Sequence, residues 1–292
     1  MDRIPVFYDP AQSVTERLPS PSAAKPRYVV ESWQAQRLPI ELFTFDPVSE
    51  DMLSRVHSPR YVRDVLSLRA SNGFGTVSEA VAESLRWTSG SFVAAAMHAW
   101  RSGRVACSPT SGFHHAKYAS GGGFCTFNGL MLAAERLLSE GAKSVGVLDC
   151  DEHYGNGTDD ILQRVAVLKG RVRHFTRGRP GYGGEPDEFL ASLEPLLQTW
   201  RDGGVEVVLY QAGADPHVDD PLGGFLRTDE LQERDRIVFS TCHRLGLAIA
   251  WNLAGGYQER PGSRWPDRIR PVLDLHDATM RECLRAFGGN EG

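Results

Sequence analysis

The chain has 292 residues, 41% of them apolar, and a formal net charge of −5, which allows one large core or two small ones. The negative balance, with no strongly basic stretch, excludes a general nucleic-acid binder, and no apolar run approaches the ~18 residues of a membrane span. Five scattered cysteines without a C-x-x-C pair argue against a disulfide framework, and the amino terminus lacks the apolar region of a signal peptide, so a cytoplasmic setting is expected.

The first ~45 residues read as an irregular segment packed on the rest, with Pro19, Pro21 and Pro26 close together. Val77 to Arg101 reads as a helix broken near Ser89-Gly90, and Arg104 to Ser108 as a short strand. Phe127 to Ser139 has apolar residues at helical spacing and stops at Gly141. The apolar run Ser144 to Leu148 reads as a buried parallel strand ending at Asp149. A helix from about Glu185 to Asp202 follows, then a strand from Val205 to Gln211. Asp229 to Arg244 reads as helix, Gly246 to Leu253 as strand and Val272 to Phe287 as a closing helix. Strands alternating with helices predict a single α/β domain over 1–292 with a central, mainly parallel sheet.

Polar residues gather at the carboxyl ends of these strands, where open α/β sheets place their ligands. After Leu148 comes Asp149-Cys150-Asp151-Glu152-His153, in which alternation puts Asp149, Asp151 and His153 on one face. Two carboxylates and an imidazole there predict a metal site. Gln211-Ala212-Gly213-Ala214-Asp215 supplies another aspartate at the same edge, and Leu253-Ala254-Gly255-Gly256-Tyr257 presents a tyrosine on a sharp glycine turn. The strand ending at Ser108 leads to Gly112-Phe113-His114-His115-Ala116 and then to Gly121-Gly122-Gly123-Phe124-Cys125. Each alone is more often a turn, cap or surface feature. Together they form a catalytic inventory at one sheet edge.

Five motifs, in order, resemble the zinc-dependent histone deacetylase and acetylpolyamine amidohydrolase superfamily. They are Gly112 to Ala116, Gly123 to Asn128, Asp149 to Thr158, Gly213 to Asp215 with Asp220 to Gly224, and Gly255 to Tyr257. The upstream stretches Val56 to Val62 and Ser71 to Gly75 are similar to its bacterial branch. The resemblance implies an arginase/deacetylase-like fold and hydrolysis of an acetylated, or other short-acyl, lysine or polyamine amine. It implies Asp151, His153 and Asp215 as ligands of zinc, with room for iron or cobalt, and a structural potassium ion near Asp149. It also implies Asp149 as the partner of His114 and Asn156 as the partner of His115, where many relatives carry aspartate. His115 is the expected general base and acid, His114 mainly an electrostatic group, and Tyr257 the oxyanion donor.

Gly123 and Phe124 would line a narrow channel. Its second aromatic position falls on Arg179, unless the alignment slips and Tyr182 supplies the ring. Glu31, Glu41 or Glu50 are candidates to hold a cationic amine at a shallow rim, which a second copy of the chain would help wall as a homo-oligomer. Two other enzymes fit less well. Gly155-Asn156-Gly157-Thr158-Asp159-Asp160 fails the dinucleotide fingerprint at its last position, and the D-x-H-x-D order of an arginase-like ureohydrolase is absent. A non-catalytic acyl-amine sensor has no need of two histidines and Tyr257.

Overall fold

The computed structural model describes residues 2–16, 18–180 and 184–289. In chain order the strands are β1 (Ile4–Phe7), β2 (Ile40–Phe43), β3 (Val105–Ser108), β4 (Val145–Asp149), β5 (Val172–Thr176), β6 (Val207–Gly213) and β7 (Ala248–Ala254). They form one sheet in the order β2-β1-β3-β7-β6-β4-β5, and every strand pair in it is parallel. The helices are α1 (Lys25–Ala35), α2 (Glu50–Leu53), α3 (Pro59–Leu66), α4 (Glu79–Ser102), α5 (Gly129–Ser139), α6 (Asn156–Arg164), α7 (Pro186–Asp202), α8 (Thr228–Leu245) and α9 (Arg270–Phe287).

Two apolar layers sandwich the sheet. On β6, Val208 and Tyr210 face the layer of α1, α7, α8 and α9, while Val207 and Leu209 face that of α3, α4 and α5. On β7 the bulky Ile249, Trp251 and Leu253 face the first layer, and the small Ala248 and Ala250 face the second. Burial on both faces is why these strands read as continuous apolar runs.

Two expectations are corrected. The helix expected to break near Gly90 is continuous, because Gly90 serves the packing rather than a bend: a Cβ there would lie 2.6 Å from the Asp46 carbonyl oxygen. A helical glycine costs about 1 kcal/mol against alanine, and here it admits the crossing 46–48 backbone. The amino-terminal segment expected to be irregular carries β1, α1 and β2. Its two strands have only four residues each, too few for a legible alternation, and β2 is a half-exposed edge.

The order β3-β7-β6-β4 places four carboxyl strand ends side by side. The loops that follow them carry His114 and His115, Tyr257, Asp215, and Asp149 to His153.

Candidate active site

The core of the site is made at the ends of β4 and β6. Strand β4 stops at Asp149, and the chain then bends. Cys150 turns into the apolar core, while Asp149, Asp151 and His153 converge on the opposite side. His153 Nδ1 lies 2.9 Å from Asp215 Oδ2 and 3.3 Å from Asp151 Oδ1, and its Nε2 donates to the Leu222 carbonyl at 3.1 Å. That last bond leaves Nδ1 as the ring nitrogen aimed between the carboxylates, the orientation metal-ligating histidines adopt. One ligand atom from each of Asp151, His153 and Asp215 lies within 4.8 Å of the others.

Both aspartates are buried, and this crowding of negative charge needs a cation. Burial and the Asp151 charge push the Asp215 carboxyl upward. Hydrogen bonds to Asp151 and Asp215 raise His153 to about 11, which reports how strongly this pair of carboxylates attracts positive charge. An oxygen- and nitrogen-rich set with two carboxylates fits a divalent first-row ion. Gly255, at φ 50°, leaves the room: a Cβ there would fall 2.2 Å from Asp215 Cγ.

Beside this cluster the two histidines have opposite surroundings. His114 Nδ1 is 2.7 Å from Asp149 Oδ2, and its Nε2 is 3.5 Å from Asp151 Oδ1. Burial opposes its protonation, but the Asp149 and Asp151 charges outweigh that and lift it to about 9. His115 Nδ1 meets the neutral Asn156 Oδ1 at 3.0 Å, and burial with the neighbouring His114 lowers it to about 4. The rings are 4.1 Å apart between centroids. A cation on Asp151 and Asp215 would cancel much of what raises His114, leaving Asp149 as its persistent partner. The inequality of the pair therefore rests on carboxylate against amide.

Glycines make this packing possible. A Cβ at Gly123, which has φ 52°, would sit 2.3 Å from His115 Cδ2. At Gly157 it would sit 2.4 Å from the Ala116 carbonyl, because the Gly157 and Thr158 N–H groups both donate to the His114 carbonyl. The amino terminus of α6 thus braces the histidine loop.

Tyr257 and Phe124 stand opposite, with ring centroids 5.7 Å apart, and Phe124 also packs on Phe74 at 5.8 Å. They separate a small chamber of about 10 Å³ beside His114, His115 and Asp151 from a funnel of about 920 Å³ walled by residues 14–16, 18–21, 23, 24 and 28, with Leu222, Trp265 and Arg268. Burial and the Asp151 and Asp215 charges raise the Tyr257 hydroxyl well above its usual range, keeping it protonated as a donor.

The structure brings together His114, His115, Asp149, Asp151, His153, Asn156, Asp215, Gly123, Phe124 and Tyr257. Arg179 is not among them. Its guanidinium donates to Asp159 Oδ2 at 2.8 Å and covers the Tyr154 ring, and it lines neither the chamber nor the funnel. Tyr182 lies outside the described residues. Glu31, Glu41 and Glu50 do not line the funnel, whereas Glu16 and Glu259 do.

Four contributors escaped sequence reasoning. Gln211 links the histidine loop to the second carboxylate, accepting from Phe113 N at 3.0 Å and donating to Asp149 Oδ1 at 2.9 Å. Asp220 accepts from Tyr257 N at 2.7 Å. Lys25, fully buried, donates to the Gly255 carbonyl, and burial lowers it to about 8 against the pull of Asp215 and Asp151. Ser22 lines the chamber beside Tyr257. Asp220 opens a quoted motif, though with no role assigned, and Gln211 stands two residues before another, whereas no motif pointed to Lys25 or Ser22.

Comparison with known proteins agrees with this geometry. Residues 20–174 match the histone deacetylase domain. An uncharacterised protein of Picosynechococcus sp. is 31% identical over 255 residues, covering 80% of this chain and 79% of that protein. Acetylpolyamine amidohydrolase of Mycoplana ramosa is 39% identical over 170 residues, 49% of either chain, so the match spans about half of that enzyme. The crystal structure of acetylpolyamine aminohydrolase from Burkholderia pseudomallei superposes with a TM-score of 0.74 at 18% identity, over 98% of this chain and 99% of that one. With the ordered motifs, the parallel sheet and the domain match in agreement, the chain belongs to the histone deacetylase family.

Proposed function

We propose that the protein is a zinc-dependent amidohydrolase that removes an acetyl group from the amine of a lysine side chain or a small molecule. The observation that carries this reading is the small chamber lined by Asp151 and His153 of the Asp151, His153 and Asp215 cluster, by the unequal histidine pair and by Tyr257. A divalent ion held by Asp151, His153 and Asp215 would polarise a carbonyl and acidify a water when bound. The same ligand set would accept iron or cobalt, and a potassium ion near Asp149 belongs to the same proposal.

The remaining steps fall to the chain's own side chains. His115, kept neutral by burial and the neighbouring His114, takes a proton from the attacking water as the water oxygen bonds to the carbonyl carbon. His114, held by Asp149, keeps positive charge close to the oxygen that becomes negative. Tyr257 donates its hydroxyl hydrogen to that oxygen, a contact worth on the order of 10²–10³ in rate for donors of this kind. The C–N bond then breaks, His115 returns the proton to the amine nitrogen, and acetate and the free amine leave.

The cavity dimensions support a small acyl group and a broad amine. The chamber of about 10 Å³ has room for about one water molecule, which excludes a long acyl chain. The funnel of about 920 Å³ leaves room for a peptide or a bulky amine, and its wall includes Tyr28 stacked on Trp265 with centroids 5.1 Å apart. Its ionic residues include Arg268 neutralised by Glu259 at 2.6 Å, and Glu16.

The test is acetate release by zinc-loaded protein from an acetyl-lysine peptide, acetylputrescine and acetylspermidine. Turnover that disappears on chelation and returns with zinc is expected. Zinc-loaded protein that hydrolyses none of these, nor other short-acyl amines, would leave a binding role instead.

A further inference from the structure

Two backbone carbonyls stand directly behind the Asp151, His153 and Asp215 cluster. The pairing of β4 with β6 ends at Asp149 opposite Gln211. The two chains then part, one towards Asp151 and His153 and the other towards Asp215. Cys150 immediately precedes Asp151, and Gly213 lies two residues before Asp215. Both are buried, and past the last rung between the strands their carbonyls need another donor. It comes from the middle of α8. Arg234 Nη1 donates to the Gly213 carbonyl at 2.6 Å and to the Cys150 carbonyl at 3.3 Å. The two strand ends also touch at this point, for a Cβ on Gly213 would fall 2.6 Å from Asp151 Cα and 3.0 Å from Asp215 Oδ1.

The guanidinium is itself held in place. Its Nε and Nη2 lie 2.9 Å and 2.8 Å from Asp235 Oδ1. That carboxylate also accepts from the Tyr210 hydroxyl on Oδ1 and from the Thr279 hydroxyl on Oδ2, the latter at 2.6 Å. All four side chains are buried, and they come from β6, α8 and α9. A planar guanidinium fixed along one edge by a carboxylate aims its remaining Nη1 hydrogens in one direction. A buried ion pair adds little net stability over apolar side chains of the same volume, so packing alone does not account for it.

We propose that Arg234 is a positioning residue of the metal centre, a clamp that holds the backbone entering Asp151 and the backbone entering Asp215 at one spacing. The two aspartates reach the same ion from different strand ends, and the clamp sets the separation of those ends before an ion arrives. The inference rests on reading Asp151, His153 and Asp215 as a metal site, and on neither the reaction nor its substrate.

The test is the zinc affinity of folded full-length protein, measured by competition with a chelator after circular dichroism has shown the fold. Arg234→Met removes both donors and binds zinc about 10- to 100-fold more weakly, the usual effect of losing a group that orients metal ligands. A residue that served only the core would lower Tm and leave the affinity of the folded protein unchanged. Where Arg234→Met does not fold, because Asp235 is left buried without its cation, Arg234→Lys takes its place. It keeps the charge but not the fork, and binds zinc about tenfold more weakly. An affinity within about twofold of wild type in the folded variant overturns the proposal. Failure of both variants to fold overturns it too, and assigns the arginine to the core. Wild-type protein that takes up no zinc defeats the metal reading and this inference with it, whereas zinc uptake by the wild type keeps the two failures apart.

Discussion

Replacing Asn156 by aspartate tests whether the split between the histidines comes from their partners. The substitution is nearly isosteric and puts a carboxylate where the amide oxygen now meets His115 Nδ1 at 3.0 Å. The protein supplies its own comparison: His114, with a carboxylate at 2.7 Å, is lifted to about 9, while His115 is lowered to about 4. That gap is an upper bound, because His114 also feels Asp151 and Asp215. A single carboxylate within ~4–6 Å shifts an imidazole by about 1–3 pKa units, so His115 in the variant should titrate near pH 5 to 7. Protonated His115 cannot accept a proton from water, so the acid limb of kcat/KM moves upward. With a pKa near 6, about one tenth of His115 is neutral at pH 5, against about nine tenths in the parent, so the variant is about tenfold slower there. At pH 8 both forms are neutral and the deficit vanishes. The measurement is a pH profile of kcat/KM on the fastest acetylated substrate, with histidine NMR titration alongside. An acid limb that stays within about 0.3 units, or moves down, refutes the assignment of His115 as the group that titrates.

Three further outcomes follow from the same geometry. Tyr257→Phe should bind zinc normally but lose on the order of 10²–10³ in kcat, whereas Asp215→Ala should lose the metal; full activity in Tyr257→Phe would remove the oxyanion role. Gly255→Ala, whose Cβ would fall 2.2 Å from Asp215 Cγ at φ 50°, should weaken zinc about 10- to 100-fold, read by competition with a chelator; unchanged affinity would mean the turn relaxes at no cost. His57 is fully buried between the Lys117 carbonyl and the Asn128 N–H, each at 2.9 Å, and burial lowers it to about 4. Its unfolded value is near 6.5, so the unfolded chain takes up a proton that the folded chain refuses. Stability is lost as pH falls from about 6.5 towards 4. Between pH 7 and 4.5 the loss is about 2 to 3 kcal/mol, visible in denaturant melts as a pH dependence that His57→Gln lacks; equal slopes for both proteins would sink it.

How much of this was legible depended on which forces left a local trace. A strand buried on both faces is largely apolar, so β4, β6 and β7 were readable, and so were the polar residues at or just beyond their carboxyl ends. The adjacency of those ends follows from parallel pairing, and it brought Asp149, Asp151, His153, Asp215, His114 and Tyr257 into one site. Edge strand β5 is mostly half-buried and carries Arg173 and His174 in its middle, so it lacks an apolar run, and α6 opens on Asn156-Gly157-Thr158-Asp159, which imitates a turn. Both were passed over for those reasons, although α6 holds the His115 partner.

The least legible part is the contribution of residues 20–25. Lys25 meets Gly255 across 230 positions of sequence, and no spacing rule links a lysine at a helix start to a glycine carbonyl at the far end of the chain. Burying its ammonium beside Asp151 and Asp215 lowers it to about 8, a cost that packing alone would avoid with any apolar side chain. The charge is tolerated because it faces a surplus of carboxylates, and its hydrogen bond anchors the turn that carries Tyr257. In this protein the sheet edge therefore supplies the reacting groups, while the segment that read as irregular holds one of them in position.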